Sequence, residues 1–146
     1  MSRGLGDVYK RQTLADLVAA GALDRTASRH AYDLLLHQAT ATPPVGPRDH
    51  IDEDTSLGYV PAEASGIAAS LTQVYAIDDA AVAGVARRLG DTAGAEMLER
   101  RAGNWRNLMD PRRHFIRPRN RDGSWNERSA APEETTTMWP RPWPSR

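Results

Sequence analysis

The sequence predicts an all-α domain built from antiparallel helix pairs, and three observations carry that prediction. Apolar residues recur at helical three- and four-residue spacing along most of the chain. Strand-type alternation is nearly absent. Short segments rich in Gly, Pro and Asp separate the periodic stretches, so successive helices fold back on their neighbours.

The elements follow in order. TLADLVAAG (13–21) puts Leu14, Leu17 and Val18 at helical spacing and stops at Gly21, a residue suited to the left-handed position past a helix end. The next helix starts near Thr26 or Ser28, either of which suits an N-cap, and carries Tyr32, Leu35, Leu36 and Ala39 on one face. TPPVGPRDHIDED (42–54) mixes prolines with acids and reads as a loop. LGYVP (57–61) leads into a long Ala-rich helical pattern. Ile67, Leu71, Val74 and Tyr75 form one stripe, and Val82, Val85, Ala86 and Leu89 form another, with Asp78-Asp79 between them and Gly90 at the end. Asp91 or Thr92 caps a further helix whose face is Ala93, Met97, Leu98, Ala102, Trp105 and Leu108, with Pro111 beyond it. HFIRPRNRDGSW (114–125) is extended and turn-like, with Asp122-Gly123 as its tightest turn signal. The last stretch, APEETTTMWPRPWPSR, is Pro-rich and has no periodicity.

Composition bounds the function. A chain of 146 residues holds one modest domain with a real core. Its 19 Lys+Arg balance 19 Asp+Glu, so no net field draws it to nucleic acid or to a membrane. Without cysteine there is neither disulfide nor thiol chemistry. No apolar run is long enough for a membrane-spanning helix, and the N-terminus lacks the apolar core of a signal peptide.

SRGLGDVYKRQ (2–12) superficially suggests a phosphate loop, but no strand precedes it. It resembles instead the translation of a transposase-type sequencing adapter, which also accounts for Lys10 as the only lysine. Residues 1–12 are therefore expected to be an adapter-like, disordered artefact whose deletion leaves stability unchanged. Residues 127–146 are expected to form an irregular tail read out of frame. With suitable codons, a two-base shift of Glu133–Thr137 reads Gly-Asp-Asp-Tyr.

Few residues invite chemistry. Asp78 and Asp79 interrupt an apolar helix, and adjacent helical residues point about 100° apart, so at most one faces a core or cleft. They read either as a solvated face or cap, or as carboxylates lining a polar cleft such as a sugar subsite. His30, His37, His50 and His114 show no ligand spacing and read as surface residues. DHIDED (49–54) lacks the glycine and distal Glu of an EF-hand. Trp105 reads as core, and Trp125 as either core or a stacking platform.

Four stretches, in this order, carry a family resemblance: Gly58–Pro61 (GYVP), Tyr75–Asp79 (YAIDD), Arg101–Pro111 (RAGNWRNLMDP) and Phe115–Trp125 (FIRPRNRDGSW). Together they resemble glycoside hydrolase family 92, calcium-dependent exo-acting α-mannosidases. Ala15 and Asp16 extend the likeness upstream, so it spans about residues 13–126. The resemblance implies part of an (α/α)₆-barrel catalytic domain, standing behind a β-sandwich domain in the parent. It implies an inverting enzyme that releases terminal α-linked mannose from mannose-containing glycans and is usually secreted, periplasmic or cell-surface. One carboxylic acid would protonate the leaving oxygen while a carboxylate base activates water across the ring, and calcium would help hold and distort the sugar.

The departures are specific. The family's acid lies in a Glu-Gly-Asn-x-Trp-Gln-Tyr-like motif and its base in an Asn-Asp-Asp-x-Gly-Gln-like motif, and neither occurs here. Val74 and Ile77 stand where Glu and Tyr are usual. The resemblance therefore assigns no catalytic residue and no calcium ligand to this chain, and leaves Asp78 and Asp79 as its only substrate-binding candidates. The expectation is a fragment of an α-mannosidase that is inactive alone. The alternatives are a helical-repeat interaction module, which lacks the required repeat near 34 residues, and a fragment of another α/α-barrel glycosidase.

Overall fold

The computed structural model describes residues 4–42 and 47–127, with side chains from Arg11 onward. In chain order the helices are α1 (Gly4–Ala19), α2 (Arg25–Thr40), α3 (Ile51–Leu57), α4 (Ala68–Leu89) and α5 (Thr92–Ala102). A 3₁₀ turn (Asn104–Leu108) follows, then a short antiparallel hairpin of β1 (Met109–Asp110) and β2 (Phe115–Ile116). The fold is all-α, as the periodicity predicts.

Helix α4 is the axis of the arrangement. Its C-terminal half buries Val82, Val85 and Ala86 against Val18 of α1, Tyr32 and Leu35 of α2, and Ala95 and Leu98 of α5. Its N-terminal half buries Ala68 and Tyr75 against Ile51 of α3 and Val60 of the GYVP segment. Gly90 ends α4 at φ +80, where a residue without Cβ is unstrained, and α5 starts two residues later folded back along α4. Asp91 caps α5 by accepting from the Gly94 N–H at 2.9 Å, and its other oxygen accepts from the Tyr32 hydroxyl at 2.6 Å. One carboxylate thus caps α5 and ties it to α2.

Several expectations are corrected. The α2 cap is Asp24, which accepts from the Ala27 N–H at 2.8 Å; Ser28 turns inward, its hydroxyl donating to the Leu23 carbonyl. The segment 42–54 is not loop throughout, because Ile51 opens α3 and Asp52, Glu53 and Asp54 suit its positive N-terminal end. Ile67 is 62% exposed rather than buried in a stripe. The buried face of α5 is Ala95, Leu98 and Arg101, with Ala93 exposed. Trp105 is half-buried, and the Arg106 guanidinium stacks on it at 4.8 Å. Trp125 lies under Arg119 at 4.4 Å and Arg117 at 5.6 Å. Residues 4–12 are not an irregular arm: α1 runs unbroken from Gly4 to Ala19. The tail expected to be read out of frame lies, from residue 128 onward, outside the described residues.

Gly94 tests the cap. A Cβ there would overlap the Tyr32 hydroxyl and sit 2.6 Å from Asp91 Oδ2. Alanine is a better helix former than glycine by about 1 kcal/mol, yet Gly94→Ala is expected to cost on the order of 1–3 kcal/mol by overpacking. Urea unfolding of the two proteins checks this.

Candidate functional site

Asp78 and Asp79 are both buried, 2% and 0% exposed, although they point in different directions from α4. This corrects the expectation that at most one would face inward. The reason is that α4 is covered on several sides. Arg11 of α1 reaches Asp78, donating from Nε to Oδ2 at 2.8 Å. Arg101 of α5 donates from Nε to Asp79 Oδ2 at 2.8 Å and from Nη2 to the Ala39 carbonyl of α2 at 2.8 Å. Arg48, 1% exposed, lies between the two carboxylates. It donates from Nη1 to Asp79 Oδ1 at 2.7 Å and holds Nη2 3.6 Å from Asp78 Oδ2. The Arg48 guanidinium also stacks on Tyr75 at 4.9 Å, and the Tyr75 hydroxyl donates to the Asp49 carbonyl at 2.9 Å.

Asp54 of α3 completes the lattice. Its Oδ2 accepts from Asn104 Nδ2 at 3.1 Å, while Oδ1 accepts no hydrogen bond. Three guanidinium groups, Arg11, Arg48 and Arg101, therefore meet two carboxylates, Asp78 and Asp79, while the third carboxylate, Asp54, is held by the Asn104 amide. Burial pushes the Asp54 carboxyl up to about 6, opposed by the Asn104 hydrogen bond and the charge of Arg101. Burial also raises Asp78 and Asp79, with the arginines pulling both back.

A second buried pair holds the C-terminal segment. Arg117 donates from Nη1 to Asp110 Oδ2 at 2.6 Å, and Asp110 Oδ1 accepts from the N–H groups of Arg112 and Arg113 at 2.8 and 3.2 Å. The Arg117 hydrogen bond holds the Asp110 carboxyl below the usual carboxylate range. The GYVP segment is tied to the same region. Just beyond GYVP the Ala62 N–H donates to the Arg119 carbonyl at 2.7 Å, and the Tyr59 hydroxyl donates to the Asn120 carbonyl at 2.9 Å, while the Val60 N–H ties the segment to α4 by donating to Thr72 Oγ1 at 2.9 Å. Asp122-Gly123 forms the expected turn, with Gly123 at φ +85.

This arrangement binds chain to chain. Glycoside inversion needs two carboxyl groups about 6.5–9.5 Å apart with room for water between them. Asp78 and Asp79 are instead sealed from solvent and engaged by arginines. The described residues also do not fit calcium. That ion takes six to eight oxygen ligands, whereas Asp78 and Asp79 face guanidinium cations, Asp54 faces the Asn104 amide, and no group of three or more His, Cys, Asp or Glu among the described residues is placed to hold a metal. Among the histidines, His30, His37 and His114 are exposed and His50 half-buried. Sequence reading passed over Arg11, Arg48, Arg101, Asp54 and the Asp110–Arg117 pair. One signal was available: Arg101 lies three residues beyond Leu98, on the inward face of α5.

The model of the glycosyl hydrolase family 92 catalytic domain matches residues 8–142. Among solved structures, a family GH92 α-mannosidase from Bacteroides thetaiotaomicron superposes with a TM-score of 0.72 at 27% identity, over 81% of this chain and 15% of its own. The same enzyme in complex with mannoimidazole gives the same TM-score, identity and coverage. A family GH92 inverting mannosidase from Bacteroides thetaiotaomicron superposes with a TM-score of 0.67 at 28% identity, over 78% of this chain and 16% of its own. The chain thus spans about 15% of the length of these relatives. No curated protein matches.

The lattice generates three predictions. Arg11→Ala leaves Asp78 with only the longer contact to Arg48, and the loss is expected to be about 3 kcal/mol, the range for a broken buried pair. Deletion of residues 1–12 is expected to lower the melting temperature by several degrees, reversing the expectation from sequence. Asp54 supplies the pH dependence. Its folded-state value of about 6 lies above its ordinary 3.8, so between these values the folded chain holds more protons and its stability falls as pH rises. Asp54→Asn is expected to gain on the order of 1–3 kcal/mol over the parent at pH 7.5 and much less at pH 4. Chemical denaturation at both pH values checks it, and equal destabilisation at both would contradict it.

Proposed function

The chain belongs to glycosyl hydrolase family 92, and from that membership we propose that it is an internal piece of an inverting α-mannosidase acting on terminal α-linked mannose of glycans. The observation that carries the proposal is the superposition of 81% of this chain on only 15% of a GH92 α-mannosidase. In this reading the chain supplies barrel wall. The acid and the base, whose family motifs it lacks, come from sequence beyond it, and so do the ligands of calcium, which would hold and distort the sugar.

The surface supports the same reading. Ile67, Ile77, Phe115 and Met109 are 62%, 52%, 42% and 37% exposed. An apolar groove bordered by Ile77, Trp105, Met109 and Ile116 opens between α4, α5 and the hairpin, with no titratable side chain lining it. In the proposed parent this face packs against further barrel helices, so alone it is prone to association. Asp78 and Asp79 serve the sugar site through the wall they brace. Direct contact of either carboxylate with a sugar would require Arg11 or Arg48 to swing away. The adapter-like origin of residues 2–12 is retained as a proposal about the gene, with Arg11 fortuitously filling a place against Asp78.

The purified chain is expected to show no turnover of an aryl α-mannoside, with or without calcium. The product of the uninterrupted gene is expected to release β-mannose first, as NMR of the fresh anomer would show. Chelator-sensitive turnover by the chain alone, or α-mannose from the full product, would overturn the proposal.

A further inference from the structure

Six of the described arginines are paired with carboxylates, and three of the others line a single groove. Arg11, Arg48, Arg87, Arg101, Arg117 and Arg121 face carboxylates within 4 Å. Arg25, Arg29 and Arg88 have no carboxylate within that distance among the described residues, and all three are exposed and line one groove. The groove, about 860 Å³, lies between the α1–α2 turn, the first turns of α2 and the C-terminal end of α4. Arg25 and Arg29 are one turn apart on the same face of α2. Arg88 comes from α4 and places Nη2 over the turn at Gly21, 3.2 Å from where a Cβ would stand. Asp33 is the groove's only carboxylate among the described residues.

This clustering breaks local rules. Like charges at i and i+4 repel. Cations are also disfavoured at the positive N-terminal end of a helix, and no acid follows the Asp24 cap within the first turn of α2. A third guanidinium then arrives from another helix. Three arginines against one carboxylate, Asp33, on two sides of a cavity suit a ligand that supplies further negative charge, since the planar guanidinium fork matches a tetrahedral oxyanion. Leu23 and Leu89 give the same groove an apolar border.

We infer that this groove binds a dianionic phosphate group, held by Arg25, Arg29 and Arg88. The site lies away from the Asp78–Asp79 lattice and does not depend on the mannosidase reading. The test is calorimetric titration of the full chain with inorganic phosphate and with phenyl phosphate, each against sodium chloride at matched ionic strength. Saturable binding and a raised melting temperature are expected with phosphate but not with chloride. Tighter binding of phenyl phosphate would identify a phosphomonoester whose organic part lies on the leucines, and equal binding would identify free phosphate. Arg88→Gln, and separately Arg25→Gln with Arg29→Gln, are expected to weaken binding at least tenfold. The double variant is also expected to melt higher than the parent in phosphate-free buffer, because like-charge repulsion is relieved; that readout shows the fold intact. Equal stabilisation by phosphate and chloride, or variants that bind as the parent does, would overturn the inference.

Discussion

Burying two adjacent carboxylates on one helix constrains nearly everything around it. A carboxylate removed from water without a cation or donors is strongly unfavourable. Asp78 and Asp79 leave α4 in different directions, so guanidinium groups must arrive from different places. Arg11 arrives on α1, Arg101 on α5, and Arg48 on the segment before α3. Helices α1 and α5 also contribute apolar residues to the core, but apolar contact alone would let a helix slide or rotate. The directional ion pairs set register. The lattice is thus a specificity device as well as a stability term, and removing one member harms more than the pair itself contributes.

The C-terminal segment follows the same logic with different parts. It has little regular structure, so its backbone groups need partners outside helices. The GYVP segment and the residue just beyond it supply them, through bonds from Ala62 and Tyr59 to the carbonyls of Arg119 and Asn120. Asp110 and Arg117 brace the hairpin from within, and Trp125 is packed under Arg117 and Arg119. The stretches that resemble the family are largely these braces. The resemblance therefore marks residues that hold these segments together.

Periodicity was enough to read the helical class, the α4–α5 hairpin, the Asp91 cap and the Asp122-Gly123 turn, because each depends on residues within a few positions of one another. Motif order was enough to name the family. The start of α2 was misplaced because Ser, Thr and Asp all cap well and three candidates lay within five residues. Helix α3 was hidden because the prolines before it dominate the reading of the segment.

Only the tertiary structure decided the state of the charged residues. Whether Asp78 is a solvated carboxylate or a buried one depends on Arg11, 67 residues away, and no local pattern encodes that distance. The same holds for Asp54 with Asn104 and for the groove that gathers Arg88 beside Arg25 and Arg29. Local spacing determines where helices begin and which face is apolar, since those follow from backbone geometry and water. The pairing of charges is settled by which helices meet, and that is a property of the packed chain.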